Sequence, residues 1–309
     1  MGRPRQVAGG LGLAAGLGLA YAGLIERNAF TLRRYTVPVL PPGAPPVRIL
    51  HLTDLHLMPN QRRKVAWVRA LADLGPDMVL NTGDNLADAR SVDPLIHAME
   101  PFLGLPGAFV LGSNDYWAPT PKNPTRYLTK RVDRPRGERL PTDELVAGLA
   151  SGGWRDLTNQ RAHLSAGGVR FELVGVDDPH HRYDRYDAVA GPADRGADLT
   201  MGVVHAPYTR ILDAMVRDGA SLVMAGHTHG GQLALPFYGA LVTNCDLDTR
   251  RAKGVTRWWP GANGVPAAAA PPDAAWMHVG AGLGTSPYAP VRFACRPEAS
   301  LLTLVARAT

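Results

Sequence analysis

The feature that most constrains the fold of this 309-residue sequence is a series of short apolar segments, each ending in Asp, Asn or His next to a glycine or a turn. In open α/β sheets, ligands bind at the carboxyl ends of strands, where the connecting loops converge. The series therefore predicts a binding site along one edge of a sheet. The segment ends carry Asp54 and His56, then Asp84, then Asn114 and Asp115, then His205, and finally His227 and His229.

The spacing of apolar residues between these ends alternates between the periods of a strand and of a helix. Strands are predicted at residues 47–52, 78–81, 107–111, 171–176, 200–204 and 221–225. Helices are predicted at residues 62–74, 91–102, 142–150 and 209–217. This alternation predicts an α/β domain with helices packed outside a sheet, and we expect this catalytic domain to span residues 47–309.

The N-terminal residues differ from the rest of the chain. Residues 7–25 carry no charge and consist almost wholly of Ala, Gly, Leu and Val. Residues 1–27 are interpreted either as a membrane anchor, near the lower length limit for a span, or as a signal peptide cleaved after Ala22. Arginines flank the segment on both sides and leave its orientation open, so the protein is expected to be membrane-anchored or exported. The proline-rich residues 28–46 are predicted to be a linker, and the extended stretch 36–46 also suits the entry to a first strand.

Composition narrows the class of partner. The chain is 45% hydrophobic and 19% charged, which is typical of a folded protein, and its formal net charge of +6 favours anionic partners. A nucleic-acid-binding module would not require Asp and His at successive strand ends, so no nucleic-acid partner is expected. The two cysteines, Cys245 and Cys295, match no metal-binding or redox spacing.

Each polar strand end has an ordinary explanation by itself, because an Asp can cap a helix and a lone His is often a hydrogen-bonded core residue. Together they are difficult to explain as structure, since buried charges are costly unless they are paired or bound to a metal. Imidazole, carboxylate and amide oxygen ligands suit transition metals such as Mn, Fe or Zn, whereas Mg or Ca would not need several histidines. The set therefore predicts a transition-metal site.

In order and spacing, these segments resemble the calcineurin-like metallophosphoesterase family, whose pattern is D-x-H, G-D, G-N-H-[DE], a lone His and G-H-x-H. The resemblance extends from Val47 to the C-terminus. The longer run Gly226-His227-Thr228-His229-Gly230-Gly231-Gln232 is similar to the YkuE-like branch, which is membrane-associated or exported. The resemblance implies a four-layer αββα sandwich, in which two mixed β-sheets are flanked by helices.

The resemblance also implies a dinuclear metal site and its ligands. Asp54, His56 and His229 would hold one ion, Asn114, His205 and His227 would hold the other, and Asp84 would bridge them. Such a pair activates a bridging hydroxide that attacks the phosphorus of a phosphodiester or phosphomonoester. The catalytic residues carried over are Asp84, Asn114, Asp115 and His205.

One segment departs from the family pattern. The family has Gly-Asn-His-Asp or Gly-Asn-His-Glu where this chain has Gly112-Ser113-Asn114-Asp115. Without a gap, Ser113 takes the position of the ligand Asn. With one extra residue in the turn, Asn114 remains the ligand and Asp115 takes the place of the histidine that protonates the leaving group. We prefer the second register, because Ser is a poor substitute for an amide oxygen.

Two other functions stay open from the sequence. The apolar N-terminus favours a hydrolase of lipid-linked or nucleotide-linked pyrophosphates as the alternative enzyme. The altered Gly-Ser-Asn-Asp segment leaves room for a non-catalytic scaffold that a metal stabilises. The basic stretch Lys122 to Arg139 is interpreted either as a solvated loop or as a flap that meets an anionic substrate or lipid head groups.

Overall fold

A computed structural model describes residues 16–121 and 136–308 and consists mainly of two six-stranded sheets and a small hairpin. The strands are β1 (Thr31–Leu40), β2 (Val47–Leu52), β3 (Met78–Asn81), β4 (Gly107–Phe109), β5 (Arg155–Asp156), β6 (Arg161–Ala166), β7 (Val169–Gly175), β8 (Leu199–Val204), β9 (Leu222–Ala225), β10 (Ala234–Leu235), β11 (Gly239–Ala240), β12 (Gly254–Trp258), β13 (Ala275–Val279) and β14 (Glu298–Ala306).

Both large sheets are mixed. The first has the order β1-β14-β2-β3-β4-β5, in which β2 to β5 are parallel and β14 is antiparallel to β2. The second has the order β12-β13-β9-β8-β7-β6, in which β7, β8, β9 and β13 are parallel. Strands β10 and β11 form the separate antiparallel hairpin.

The longer helices lie on the outer faces of the sheets. The helices on these faces are α1 (Arg62–Ala70), α2 (Val92–Met99), α4 (Thr142–Ala150) and α5 (Thr209–Arg217), whereas the short α3 (Ser113–Tyr116) lies at the carboxyl edge after β4. One apolar core joins the first sheet to α1, α2 and α4, a second lies between the sheets, and a third joins the second sheet to α5. The molecule therefore has two mixed sheets at its centre with helices outside each, which confirms the predicted α/β class.

The predicted elements recur with small changes at their ends. The helix expected at 62–74 is α1 followed by a 3-10 turn at Leu71–Leu74, and the helix expected at 91–102 is α2 followed by a 3-10 turn at Glu100–Phe102. The strand expected at 107–111 ends at Phe109, because the chain then turns toward the glycine at position 112.

The predicted linker at residues 28–46 differs from the structure. Ten of its residues form β1, which pairs in parallel with β14 along the edge of the first sheet. Proline is tolerated there because an edge strand leaves one side of its backbone unpaired. The register shifts between Pro38 and Leu40, as a β-bulge would require. The sheet therefore begins at Thr31 and not at Val47.

The start of the apolar N-terminal segment lies outside the described residues. Residues 16–28 are helical, with a π-helical turn at Tyr21–Ile25 and a 3-10 turn at Glu26–Asn28. Within the described ranges, none of the helices has both the length and the apolar character that a membrane span requires. Most of the predicted basic stretch, residues 122–135, also lies outside the described residues.

Candidate metal centre

The carboxyl ends of parallel strands from both sheets meet at one place. In the first sheet, β2, β3 and β4 are parallel neighbours, and in the second sheet β8 and β9 are parallel neighbours. Side chains that follow these ends are therefore brought together across the two sheets. They are Asp54 and His56 after β2, Asp84 after β3, Asn114 after β4, His205 after β8, and His227 and His229 after β9.

Five of these residues have left-handed backbone conformations, which are uncommon for residues other than glycine. Each such residue costs about 1 to 3 kcal/mol, so the surrounding structure must hold it in place. A concentration of this conformation at one place is typical of functional sites. The φ angles are 49° at Asp54, 40° at His56, 55° at Asp84, 70° at His227 and 50° at His229.

Glycines let the backbone approach the carboxylates closely. A Cβ atom at Gly226 would lie 2.7 Å from Asp54 Oδ2, and one at Gly112 would lie 2.7 Å from the backbone nitrogen of Asp84. Real Cβ atoms do not tolerate contacts this short. The glycines of the G-H-x-H and G-S-N-D segments are therefore required by packing against the site itself.

The first group consists of Asp54, His56 and His229, all buried. His229 Nε2 lies 3.1 Å from His56 Nε2 and 3.4 Å from Asp54 Oδ1. Asp54 Oδ1 is buried and accepts no hydrogen bond, while Oδ2 accepts from the Thr53 hydroxyl and the His227 backbone N–H. A buried carboxylate oxygen without a donor, beside two imidazole nitrogens, is an arrangement that a cation satisfies.

The second group surrounds Asp84. One oxygen of this carboxylate, Oδ2, lies 3.4 Å from His56 Nε2 and also 3.4 Å from His205 Nε2. His227 Nδ1 lies 3.3 Å from the same nitrogen of His205. Asn114 donates its backbone N–H to Asp84 Oδ1 and its side-chain amide N–H to Oδ2. Asp84 therefore connects the two groups.

Hydrogen bonds at the far side of two imidazoles fix which nitrogen faces the site. His205 Nδ1 lies 2.6 Å from the Thr82 carbonyl oxygen, and His227 Nε2 lies 3.3 Å from the Asn244 carbonyl oxygen. Because a carbonyl oxygen can only accept, these nitrogens carry the proton when the ring is neutral. His205 Nε2 and His227 Nδ1 then present lone pairs to the site, as metal ligands must.

Burial and mutual contacts shift the pKa values of the Asp and His side chains in the site. Burial raises the pKa of Asp54 to about 6, and burial together with His205 lowers the pKa of His227 to about 4. Burial would also raise the pKa of Asp84, but the contact with His205 holds it well below its usual range. Asp84 in turn holds the pKa of His205 well above its usual range, so a metal ion that binds His205 Nε2 would displace a proton, whereas His227 is already neutral.

The role predicted for Asp115 does not agree with its surroundings. Asp115 is fully buried, and its carboxylate accepts hydrogen bonds from the backbone N–H groups of Asp84, Asn85 and Gly112. A general acid must reach the leaving group, whereas this carboxylate holds two strand-end turns together. In the same segment, Ser113 is the alternative to Asn114 as the metal ligand. Its hydroxyl donates to Asp178 instead of facing Asp84.

Several residues near the site were missed or left aside by the sequence analysis. Arg292 is fully buried and its Nη2 lies 3.2 Å from His229 Nδ1. His51 and His278 form a buried contact behind Thr82. No motif marks these residues, because an Arg outside a motif and a His within a strand give no signal from sequence alone.

A polar cluster in the loop after β7, formed by Asp177, Asp178, His180 and His181, lies beside the site. The His180 ring centroid is 4.7 Å from that of His227. His181 Nδ1 lies 2.9 Å from Asp178 Oδ2 and 3.0 Å from Ser113 Oγ. This cluster therefore joins the altered Gly-Ser-Asn-Asp segment to the wall of the metal centre.

The fold and this site together define a protein with two clusters of Asp and His side chains at the carboxyl edge of two mixed sheets. A family model described as Calcineurin-like phosphoesterase matches residues 47–231. The chain belongs to the calcineurin-like phosphoesterase family. It is a metal-dependent hydrolase of phosphate esters, which confirms the class of enzyme expected from the sequence.

The relatives include proteins whose names describe a metallophosphoesterase, a phosphodiesterase and a transmembrane protein. The uncharacterized metallophosphoesterase YkuE of Bacillus subtilis (strain 168) is 25% identical over 75% of this chain and 76% of its own length. The phosphodiesterase YaeI of Escherichia coli (strain K12) is 25% identical over 95% of both chains. A transmembrane protein with metallophosphoesterase domain of Danio rerio is 27% identical over 64% of this chain and 44% of its own length.

Proposed function

We propose that this chain binds two transition-metal ions and hydrolyses phosphodiesters at them. Asp54, His56 and His229 hold the first ion, Asn114, His205 and His227 hold the second, and Asp84 is shared. The observation that carries the proposal is the position of Asp84 Oδ2, which is 3.4 Å from a nitrogen of each group. Nitrogen-rich ligands favour Mn, Fe or Zn as the ions.

When bound, two such ions supply Lewis-acid charge at the phosphate oxygens and lower the pKa of a water molecule so that it can attack. The chain contributes the geometry. Backbone N–H groups hold Asp84 and Asp115 in place, and carbonyl partners orient His205 and His227. Because these contacts exist before substrate binds, little reorganisation is needed in the transition state.

A cleft beside α3 and the loop after β7, the two segments that border the metal centre, supports a diester substrate. This open cleft of about 430 Å³ lies beside Asp177, with aromatic and arginine side chains in its wall. It offers stacking surfaces and positive charge to the organic group of a phosphodiester. The relative YaeI, which is named a phosphodiesterase, aligns with nearly the whole chain. This similarity favours the same reaction here. The cleft is lined by Tyr116, Trp117, Arg139, Thr158, Asn159, Asp177, Tyr183 and Arg185.

The altered segment affects the choice of leaving group. The family histidine is absent and Asp115 is committed to backbone N–H groups. We propose that His180 and His181 contact the substrate from the adjacent loop, and that preferred substrates have leaving groups that need little protonation. A pyrophosphate, whose leaving phosphate is already acidic, meets this requirement and is the second candidate substrate.

The location proposed for the enzyme is the membrane surface. The uncharged residues 7–25 attach it there as an anchor or guide its export, and the catalytic domain then starts at β1. Relatives with transmembrane names favour attachment.

The test is a substrate screen of Mn-loaded protein with matched variants. We expect turnover of an aryl phosphodiester above that of the monoester, and loss of at least about 100-fold in kcat for Asp84→Asn and His227→Ala. Asp93→Asn, on the exposed first turn of α2, is the control. Near wild-type turnover in folded Asp84→Asn protein would refute the proposed site, while turnover of pyrophosphates alone would select the second candidate substrate.

A further inference from the structure

The large apolar side chains that are exposed in the ranges 16–121 and 136–308 concentrate in three segments, residues 17–25, 233–242 and 288–293. We call these segments together the apolar face. Its most exposed member is Phe237, at the turn of the β10-β11 hairpin. The other members are Leu17, Leu19, Tyr21, Leu24, Ile25, Leu233, Leu235, Tyr238, Leu241, Val242, Tyr288 and Phe293.

Contacts join the three segments into one surface. The Tyr21 and Phe293 rings meet edge to face with centroids 6.4 Å apart, and Leu233 forms a parallel β-bridge with Phe293. The backbone N–H of Arg292 donates to the Ala22 carbonyl oxygen. A contiguous exposed apolar surface of this kind marks an interaction site, since scattered single residues would need no explanation.

The turn of the hairpin holds an exposed apolar side chain on a strained backbone. Phe237 has φ of 67°, a left-handed conformation that is an outlier for a bulky residue. The paired strands β10 and β11 have two residues each and bury little. A soluble turn would favour Gly or Asn at such a position, so the presence of an exposed Phe needs a partner that covers it.

We infer that the apolar face docks on an anionic lipid bilayer, with the β10-β11 hairpin inserted at the interface beside the metal centre. The N-terminal sequence favours a lipid bilayer as the partner. The first segment of the apolar face is preceded by residues 7–15, which are uncharged and apolar. Tyr21, Tyr238 and Tyr288 have the amphipathic character preferred at the boundary between lipid and water.

Basic residues border the apolar face. Arg296 and Lys253 are exposed and adjoin Cys295, whose Sγ lies 3.8 Å from Lys253 Nζ. Arg27 donates to the Pro290 carbonyl oxygen. Positive charges next to an apolar surface match lipid head groups of negative charge, whereas a protein partner would give no reason for the uncharged N-terminal run.

Docking through this face would place the metal centre at the membrane surface. The hairpin begins at Ala234, shortly after the turn His229–Gly231, and the Asn244 carbonyl oxygen beyond its other end contacts His227. Both ends of the hairpin are thus attached to proposed metal ligands. This inference goes beyond the proposed hydrolysis, and its test requires no turnover.

The test uses the full chain with Cys245→Ser and one new cysteine that carries an environment-sensitive nitrobenzoxadiazole label. Cys295 is buried and does not compete for the label. Phe237→Cys reports on the hairpin. Ser151→Cys is the control, because Ser151 follows α4 and precedes β5, at the edge of the sheet opposite the carboxyl ends. Vesicles contain phosphatidylcholine, phosphatidylglycerol and doxyl-labelled lipid.

We expect a blue-shifted label at position 237 that doxyl lipid quenches several-fold more than the label at position 151. The added substitution Leu235→Asp should reduce this quenching while thermal unfolding shows an intact fold. Equal quenching at the two positions, or none at 237, would overturn the inference. A blue shift at 237 that grows with protein concentration in the absence of vesicles would also overturn it, since a second copy would then cover the face.

Discussion

Asn114 donates two hydrogen bonds to Asp84, from its backbone N–H to Oδ1 at 2.7 Å and from its side-chain amide to Oδ2 at 2.9 Å. The preceding residue, Ser113, contacts a different carboxylate, with its Oγ 2.6 Å from Asp178 Oδ2. The amide of Asn114 also carries an acceptor oxygen that a metal ion can use. This geometry favours the register in which Asn114 and not Ser113 serves as the ligand.

The two registers predict opposite results for two alanine substitutions. Asn114→Ala should weaken binding of the second ion and lower kcat by at least about 100-fold, because a ligand and a partner of Asp84 are lost together. Ser113→Ala should retain metal content and most of kcat. Elemental analysis after dialysis against low metal, with turnover on the same samples, distinguishes them. The reverse ranking of the variants would support the other register.

Asp115 is expected to act through structure and not as a general acid. Asp115→Asn keeps the volume but replaces an acceptor oxygen with an N–H₂ group that faces backbone N–H groups. We expect a loss of about 2 to 3 kcal/mol in the free energy of unfolding, measured by urea denaturation.

Leaving-group dependence separates the two roles of Asp115. The ratio of variant to wild-type kcat should be the same for diesters with good and poor leaving groups, because the substitution disturbs the position of Asp84. A general acid would behave differently, since a good leaving group needs little protonation and would rescue the variant. Selective rescue would therefore contradict the structural role.

Much of the fold and site could be predicted from sequence because strand, turn and ligand residues are adjacent in the chain. Apolar runs set β2, β3, β4, β8 and β9, and the polar residues directly after them converge because parallel strands end at the same edge. The linker boundaries were wrong because prolines exclude a helix but do not distinguish a linker from an edge strand. At a sheet edge the missing N–H of Pro38 is not needed.

What could not be predicted depends on contacts between distant segments. Arg292 lies next to His229 in the fold but more than sixty positions away in the sequence. Its side chain is held by backbone carbonyl groups, which every residue type has and which therefore give no sequence signal. The same is true of the hydrogen bond from Ser113 to Asp178, which pairs the altered segment with the loop after β7. A role for Asp115 inferred by alignment likewise ignored the backbone N–H groups that enclose it.

Arg292 is expected to hold the loop behind His229. Its guanidinium donates to five backbone carbonyl oxygens, those of His229, Ala281, Gly282, Gly284 and Cys295. Lysine cannot span this set from one nitrogen, and each buried carbonyl left without a donor costs about 1 to 3 kcal/mol. We expect Arg292→Lys to lower the free energy of unfolding by about 3 kcal/mol or more.

The same substitution should weaken metal binding by about 10 to 100-fold in a competition with a fluorescent chelator, because Arg292 donates to the His229 backbone carbonyl oxygen and so positions this proposed ligand. The exposed neighbour Arg296 provides the control, and Arg296→Lys should change the free energy of unfolding by less than about 0.5 kcal/mol. Similar losses in both variants would show that the buried carbonyl contacts do not account for the effect.

Lys64 is expected to make the free energy of unfolding increase with pH. Burial lowers its pKa to about 7, and its Nζ lies 2.6 Å from the Leu55 carbonyl oxygen. An unfolded lysine has a pKa of about 10.4. Between these values the unfolded chain binds a proton that the folded chain does not, so the free energy of unfolding gains a positive slope with pH.

Lys64→Met removes this contribution. Urea denaturation at several pH values from neutrality to about 10 should show a slope that is smaller than that of the wild type by up to about 1.4 kcal/mol per pH unit. Other titrating groups are common to both proteins and cancel in the difference. Parallel curves would mean that Lys64 keeps its charge in the folded state.

The measurement that tests the central claim most directly is the number of metal ions per chain, determined together with turnover of an aryl phosphodiester in the same sample. The account predicts two transition-metal ions in active wild-type protein, loss of turnover when a chelator removes them, and recovery when they are restored. Full turnover by protein stripped of metal, or by protein that holds a single ion and gains nothing from a second, would contradict it.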